Sequence, residues 1–291
     1  MPAYFSDRQR GPRPRTNEII EPSVWGGIYA IVSALLSNGS FGCSFPENCP
    51  DGYGVIGHDS RALELMLKAQ HPDMPYPLPL DDTPDTLAIL DFLEFVAASI
   101  GKPVERAFHS FFRHHHLSFD REAGLREFID AINSIFARNG VAYELSEDSQ
   151  VKRILTAELQ HLFATTSFHS GDSETDRLLE EARAQFTSPN ENVRRDALEK
   201  LWDAFERIKT LESGKDKREQ ASRLLDRVAS GKFRQTLENE ARELTDIGNS
   251  FRIRHSETSQ EPLTSSAQVD YLFHRLLSVL RFVLSSTGRA S

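Results

Sequence analysis

The sequence predicts a mainly α-helical protein of two parts: a helical N-terminal domain with a small β-hairpin over residues 1–170, and a C-terminal antiparallel helical bundle over residues 171–291. Apolar residues recur at three- and four-residue spacing along most of the chain, a pattern typical of helices with one buried face. Hydrophobic residues make up 39% and charged residues 26% of the 291 residues, as in ordinary globular proteins. This length is enough to bury two modest cores.

The first elements of the N-terminal part are expected to be helices separated by loops. Residues 1–22 are rich in Arg and Pro and should lie extended, up to a helix that begins near Ser23 with that residue as its cap. Residues 37–58 are dense in Gly, Pro, Asn and Asp, which predicts a loop. Helices are then predicted at 61–70 and 87–100, and the second is apolar on most of its faces.

A histidine-rich segment, FHSFFRHHHLSFD, occupies residues 108–120. Read at helical spacing, His109 and His116 point inward, while the histidines between them meet solvent. Successive residues on a helix point in different directions, so consecutive histidines do not converge on one ion. We therefore expect no metal at the His114–His116 run.

A second candidate metal site would consist of the two cysteines, Cys43 and Cys49, together with His58 or His71. The five-residue gap between the cysteines lacks the tight C-x-x-C spacing of most structural zinc sites. We expect two reduced thiols and no metal site.

The rest of the N-terminal part is predicted to be one helix followed by a hairpin. Leu125, Phe128, Ile132 and Phe136 recur at helical spacing, and Asn139-Gly140 is a typical helix end. The hairpin is predicted from two short runs rich in strand-forming residues, 141–145 and 151–155.

The C-terminal part is helical in pattern throughout. Short turns join its apolar stripes, which favours an antiparallel bundle, and a polar break at 248–266 precedes the last helix. The predicted helices cover about 174–186, 193–211, 216–229, 233–247 and 267–286.

The polar break carries the most unusual local composition in the chain. Arg presents paired donors that match phosphate oxygens, and His can take and give a proton near neutral pH, so the segment could act on a phosphodiester. Its candidate site residues, all within a stretch of nine, are Asn249, Arg252, Arg254, His255 and Glu257.

The four-helix pattern with N-x-x-x-I-R-H-x-E before its last helix resembles the HEPN (higher eukaryotes and prokaryotes nucleotide-binding) superfamily, in the form found in AbiJ-like abortive-infection proteins. The resemblance covers most of the chain. Upstream it includes Tyr4-Phe5-Ser6-Asp7-Arg8, Phe108-His109-Ser110-Phe111-Phe112, His116-Leu117-Ser118-Phe119-Asp120, Asn133, Ile135-Phe136, Asn139-Gly140 and Tyr143-Glu144-Leu145.

The resemblance implies an antiphage toxin: a metal-independent endoribonuclease without a cofactor, whose sites pair across a homodimer. His255 would transfer the proton, and Arg252 or Arg254 would stabilise the charge on the phosphorane. Asn249 and Glu257 would bind or orient the substrate. Residues 1–170 would then be a sensor or regulatory domain.

A non-catalytic alternative stays open, because the arginines stand one and three residues before His255, whereas the family has four to six residues between its Arg and its His. The positions with that spacing are Ser250, Asn249 and Gly248. In that reading the bundle is a HEPN-like module that binds RNA, a nucleotide or a protein partner. Asn249 then caps the preceding helix and Arg254 pairs with Glu257.

Charge and motifs limit the other function classes. The net charge is −9, but residues 191–291 hold 18 Lys or Arg against 16 Asp or Glu. RNA would therefore have to bind locally, in the C-terminal part, and no DNA partner is expected.

The apolar run at 24–36 is too short to span a bilayer, which predicts a cytoplasmic protein with no membrane partner. The sequence lacks GxxxxGK[ST], HExxH and GxSxG motifs.

Overall fold

The computed structural model of the protein describes residues 5–251, 253 and 260–290. Over these residues the fold is mainly helical with short antiparallel strands, which confirms the predicted fold class. The chain divides into two packed units, Met1–Ile154 and Leu155–Ser291. The functional boundary predicted after residue 170 stays a prediction, because the end of a packed unit need not be the end of a functional domain.

The N-terminal unit combines helices with two antiparallel sheets. In chain order the elements are α1 (Phe5–Arg10), α2 (Pro22–Ser37), a 3₁₀ helix (Ser40–Cys43), β1 (Pro46–Asn48), β2 (Val55–His58), α3 (Ser60–Gln70), α4 (Thr86–Ser99), β3 (Lys102–His109), β4 (His114–Asp120), α5 (Arg121–Asn139), β5 (Tyr143–Leu145) and β6 (Val151–Arg153). The larger sheet has the strand order β1-β2-β4-β3, and the smaller one pairs β5 with β6.

The start of the chain differs in part from its prediction. A short helix, α1, lies where extended chain was predicted, although the chain beyond it is extended at Asn17, which pairs with Val141. The Ser23 cap was wrong: α2 begins at Pro22 after Glu21, whose side chain makes no capping hydrogen bond. Proline suits this first position because its fixed φ is already helical and its missing N–H is not needed there.

Two strand hairpins replace other predicted structures. The predicted loop at 37–58 contains the 3₁₀ helix and the β1–β2 hairpin, and the segment at 108–120, read as helical, forms the β3–β4 hairpin. Val55 of β2 pairs with Leu117 of β4 and joins the two hairpins into one sheet. This partner is distant in sequence, so local periodicity could not reveal it.

The core of the N-terminal unit lies between α2, α4 and α5. As predicted, α4 is buried on most faces, and α5 buries Phe128, Ile132 and Phe136. Helix α5 ends at Gly140, which has a φ of 69°, so the predicted helix end and the hairpin after it are confirmed. Gly124 lets α5 approach β3, since a Cβ atom there would lie 2.5 Å from the backbone nitrogen of Lys102.

The C-terminal unit is a helical bundle. In chain order its elements are α6 (Ala157–Thr165), α7 (Ser173–Phe186), α8 (Glu191–Ile208), α9 (Lys217–Val228), α10 (Gly231–Ser250) and α11 (Ser266–Ser286). Helix α6 was not predicted. The bundle packs around α8, whose Trp202 is fully buried, and Phe186 stacks on Phe273 with ring centroids 3.7 Å apart.

Helix α10 runs to Ser250, so the predicted polar break is shorter at its N-terminal side. Gly248 was expected to end the helix but lies inside it, packed against Trp202. Among the described helices, none combines the length and apolar character needed to cross a bilayer.

Candidate functional site

The site predicted from the sequence lies at the connection between α10 and α11. Of its five residues the structure describes Asn249, which is exposed in the last turn of α10. Phe251, and not Asn249, is the residue that caps this helix, through its N–H to the carbonyl of Ile247 (3.1 Å). The four predicted site residues that lie outside the described part of the chain are Arg252, Arg254, His255 and Glu257.

The residues on either side of this connection are bonded to each other. Phe251 forms a parallel bridge with Glu261, whose N–H donates to the carbonyl of Ser250 (3.2 Å). The amide of Gln260 donates to the carbonyl of Asn249 (3.0 Å). The chain therefore enters and leaves the predicted site at one point of the bundle.

Ile253 anchors the connection to the bundle. Its side chain is 5% exposed and belongs to the core of the C-terminal unit, and its N–H donates to the carbonyl of Phe251 (2.7 Å). The residue between the two predicted arginines thus has a fixed position.

A groove of about 490 Å³ runs along α8, α9 and α10, the helix that leads into the predicted site. Five cationic side chains and two carboxylates line it. Lys217 and Arg218 are exposed at the start of α9. The other charged lining residues are Lys209, Arg234, Arg242, Glu206 and Glu238.

A larger groove of about 710 Å³ lies along α7 and α8. Five carboxylates and four cations line it, and one of these cations, Lys200, pairs with Glu181 (3.0 Å). Because its carboxylates outnumber its cations, this groove is poorly suited to a polyanion, and the smaller groove is the better candidate for RNA.

A second group of polar side chains lies in the N-terminal unit, beside the four-stranded sheet. It consists of Cys49, His109, His114 and His116, and we name it the Cys-His cluster. One nitrogen or sulfur atom from each residue lies within 4.8 Å of the corresponding atoms of the others.

The β3–β4 hairpin brings the three histidines together. Side chains alternate between the faces of a strand, so His114 and His116 share one face of β4 and His115 lies on the other. His109 pairs with His114 directly across the hairpin. The three ring centroids are 5.5 to 5.6 Å apart.

The turn between β1 and β2 supplies the cysteine. The N–H of Cys49 donates to the carbonyl of Gly54 (2.9 Å), and Gly54 has a φ of 80°. A Cβ atom at Gly54 would lie 2.8 Å from Cγ of His116, so only glycine lets the turn approach this ring. The sulfur of Cys49 is 3.4 Å from Nδ1 of His109.

The polar atoms of the Cys-His cluster are incompletely satisfied by the protein. Nε2 of His114 and Nε2 of His116 are both buried and have no hydrogen-bond partner. Nδ1 of His109 lies 3.2 Å from a carboxylate oxygen of Asp51. Burial, and secondarily Asp51, raises the pKa of the Cys49 thiol, while the hydrogen bond from that thiol helps to hold the pKa of Asp51 below its usual value.

Sequence reasoning missed this cluster because it read the histidine run as helical. In a strand, the H-x-H spacing of His114 and His116 puts both rings on one face, and this spacing was the signal in the sequence.

The alternative metal site, in which His58 or His71 joins Cys43 and Cys49, does not assemble. Cys43 lies against Gly101, His58 bonds Ser60 (3.2 Å), and His71 packs on Phe95.

Comparison with known proteins identifies the N-terminal part of the chain. The sequence model of AbiJ N-terminal domain 4 matches residues 3–169, more than half of the chain. No curated protein and no solved structure matches it.

Proposed function

The chain belongs to the AbiJ N-terminal domain 4 family, and from this premise we propose that it is an antiphage effector whose C-terminal unit is a HEPN-like endoribonuclease. The AbiJ-related domain associates the chain with abortive-infection defence. The observation that carries the ribonuclease proposal is the concentration of two arginines, a histidine and a carboxamide within residues 249–257, where α10 leads into the last helix.

In the proposed reaction, His255 takes the proton from a ribose 2′-hydroxyl as its oxygen attacks the adjacent phosphorus. Arg252 or Arg254 stabilises the charge on the pentacoordinate phosphorane. The bond from phosphorus to the 5′ oxygen then breaks, and the leaving oxygen receives a proton from an imidazolium. The products are a 2′,3′-cyclic phosphate and a 5′-hydroxyl, and no metal ion takes part.

Two features of the described residues support this proposal. The hydrogen bond between Ser250 and Glu261 and the burial of Ile253 fix the backbone at both ends of the site segment and between its arginines. A fixed backbone favours catalysis because misplacing a catalytic group by about 1 Å can cost about 100-fold in rate. The cationic groove along α8, α9 and α10 offers a path for the RNA backbone.

The proposed enzyme is a homodimer in the cytoplasm, in which two copies of His255 line one cleft. This part of the proposal rests on the resemblance to HEPN proteins alone. Light scattering coupled to size exclusion should give a mass near twice 32.9 kDa at micromolar concentration. A mass of one chain in active protein would contradict it.

The proposal is tested by cleavage of RNA by the purified full chain, with EDTA added together with the RNA. His255→Ala should lower the rate by about 100- to 10,000-fold, the usual contribution of a general acid–base residue. His161→Ala is the matched control, since His161 is an exposed histidine on α6 and should leave the rate unchanged. A substrate with 2′-deoxyribose at the cleaved position should resist cleavage.

Other outcomes separate the proposal from its alternative. Equal inactivity of wild type and His255→Ala, with RNA still retarded in a gel, would refute the enzyme and favour the non-catalytic RNA-binding module. Cleavage of the 2′-deoxy substrate would refute the proposed attack by the 2′-hydroxyl.

A further inference from the structure

We propose that the Cys-His cluster binds one zinc ion, held by Cys49, His109, His114 and His116. The proposal is independent of the ribonuclease, since all four ligands belong to the N-terminal unit.

The donor set fits zinc by chemistry. One thiolate and three imidazoles are the borderline-soft sulfur and nitrogen ligands that zinc takes in four-coordinate, tetrahedral sites. With Zn–N bonds of about 2.0–2.1 Å and a Zn–S bond of about 2.3 Å, neighbouring ligand atoms lie about 3.3–3.6 Å apart. The sulfur of Cys49 and Nδ1 of His109, 3.4 Å apart, already have this separation.

The remaining ligand atoms need only small movements. They lie within 4.8 Å of one another, so contraction by about 1 Å completes a tetrahedron. His109 and His114 are fixed by their direct pairing across two strands, and His116 is fixed against Gly54. Such a rigid arrangement favours binding because few ligand side chains must be ordered.

Zinc also explains the two unsatisfied nitrogens. Nε2 of His114 and Nε2 of His116 are shielded from solvent and lack a hydrogen-bond partner, which is rare for buried polar atoms. A zinc ion among the four residues would accept a lone pair from each neutral imidazole.

Asp51 completes the electrostatics of the proposed site. Zinc binding breaks the S–H bond of Cys49, releases that proton to solvent and forms a Zn–S bond. The ion, the thiolate and the carboxylate of Asp51 then sum to zero charge. A carboxylate oxygen of Asp51 lies 3.2 Å from Nδ1 of His109, the proposed ligand atom, so its negative charge lies beside the position of the ion.

The proposed zinc is structural. Four protein ligands leave no coordination position open for a substrate, unlike the three-ligand catalytic sites. Cys49 and His109 are 60 residues apart in sequence, so the ion would fasten the β1–β2 turn to the β3–β4 hairpin.

The first test is the metal content of the full chain, purified without a metal-affinity tag. Elemental analysis should find about one zinc per chain. After zinc is exchanged for cobalt(II), a thiolate-to-cobalt charge-transfer band and intense visible bands should report a tetrahedral site with one sulfur ligand.

Two matched pairs of variants assign the ligands. His116→Ala should lose the zinc and His115→Ala, on the opposite face of the same strand, should keep it. Likewise Cys49→Ser should abolish the charge-transfer band, whereas Cys43→Ser should retain it. Asp51→Asn should weaken zinc binding about 10- to 100-fold without changing the stoichiometry at saturation, because it removes a negative charge beside the ion.

The wild-type measurement alone can overturn the proposal, so it does not depend on the folding of any variant. Folded, reduced wild-type protein that contains no stoichiometric zinc and takes up neither zinc nor cobalt(II) would refute the site. Equal zinc loss in His115→Ala and His116→Ala would refute the ligand assignment.

Discussion

Gly248 is the residue that lets α10 pack closely on α8. A Cβ atom at this position would lie 2.3 Å from Nε1 of Trp202, the indole nitrogen that donates to the carbonyl of Leu244 (3.2 Å). The buried indole has no room to move, so the absence of a side chain here sets how near the last turns of α10 can come.

We predict that Gly248→Ala destabilises the protein. Overpacking at a rigid contact lowers stability by about 1–3 kcal/mol, and we expect a value in the upper part of that range. The higher helix propensity of alanine over glycine offsets about 1 kcal/mol of this loss. The free energy of unfolding in urea should fall by about 1–2 kcal/mol. Asn249→Ala, at the exposed neighbouring position, is the control and should change little; equal stability of the two variants would contradict the packing argument.

Asp172 caps α7 and also binds α8. Its Oδ2 accepts hydrogen bonds from the hydroxyl of Thr175 (2.6 Å) and from the guanidinium of Arg207 (2.6 Å). These two contacts, in that order, hold the pKa of Asp172 below its usual value. The folded state therefore favours the ionised carboxylate, and the resulting stability is present above the unfolded-state pKa and lost as pH falls through the folded-state pKa.

We predict a pH-dependent effect of Asp172→Asn, which keeps a capping side chain but removes the charge. Near pH 7 the variant should be less stable by up to about 1 kcal/mol, because the ion pair is partly exposed. The difference should shrink as pH falls below about 4, near the unfolded-state pKa of a carboxyl group. Urea denaturation at several pH values measures it, and a difference that stays constant down to pH 3 would contradict this reading.

At the scale of elements, a buried arginine joins the starts of α8 and α11. The side chain of Arg194 is fully buried, and its guanidinium donates to the carbonyls of Ser188 (2.9 Å) and Pro189 (2.7 Å) and to the hydroxyl of Ser266 (2.8 Å). The turn before α8 and the first turn of α11 are thus held by one side chain.

We predict that Arg194→Ala lowers the free energy of unfolding by about 3 kcal/mol, since it removes charge-assisted hydrogen bonds of a buried guanidinium and leaves two half-buried carbonyls without this donor. Its neighbour Arg195 pairs with Glu191 at the surface (2.5 Å), so Arg195→Ala should cost at most about 0.5 kcal/mol. Thermal or urea unfolding of both variants measures the contrast. Similar losses for the two arginines would show that Arg194 does not connect the helices.

The elements also show which predictions local sequence supports. Helices α3, α4, α5 and α7 to α11 were predicted to within a few residues, because periodicity and capping residues act over one or two turns. The strands β1 to β4 were missed. No residue of these four strands is fully buried, so they show no clear apolar alternation, and the pairing that joins the two hairpins, Val55 with Leu117, is between distant segments.

At the scale of the molecule, the C-terminal unit begins earlier than the end of the family match. Leu159 of α6 and Phe168 belong to its buried core, and Phe186 of α7 stacks on Phe273 of α11. A fragment that starts after α7 would expose these contacts, so the smallest fragment expected to fold begins at Leu155.

We predict that residues 155–291, expressed alone, are more toxic to a bacterial host than the full chain, as expected if the N-terminal part is a sensor that restrains an effector. Colony counts after induction measure the effect, at matched expression levels. The same fragment with His255→Ala should be harmless. Toxicity equal to that of the full chain, or none, would argue against restraint by the N-terminal part.

The sequence by itself determined most of the helices, their approximate ends and the two-part organisation, and it pointed to the polar segment around His255 and to the AbiJ relationship. These features depend on residues close together in the chain. Only the tertiary structure decided how the hairpins pair and that Cys49 meets three histidines 60 or more residues away. Such a cluster requires a particular strand register, and register is set by pairing between distant segments.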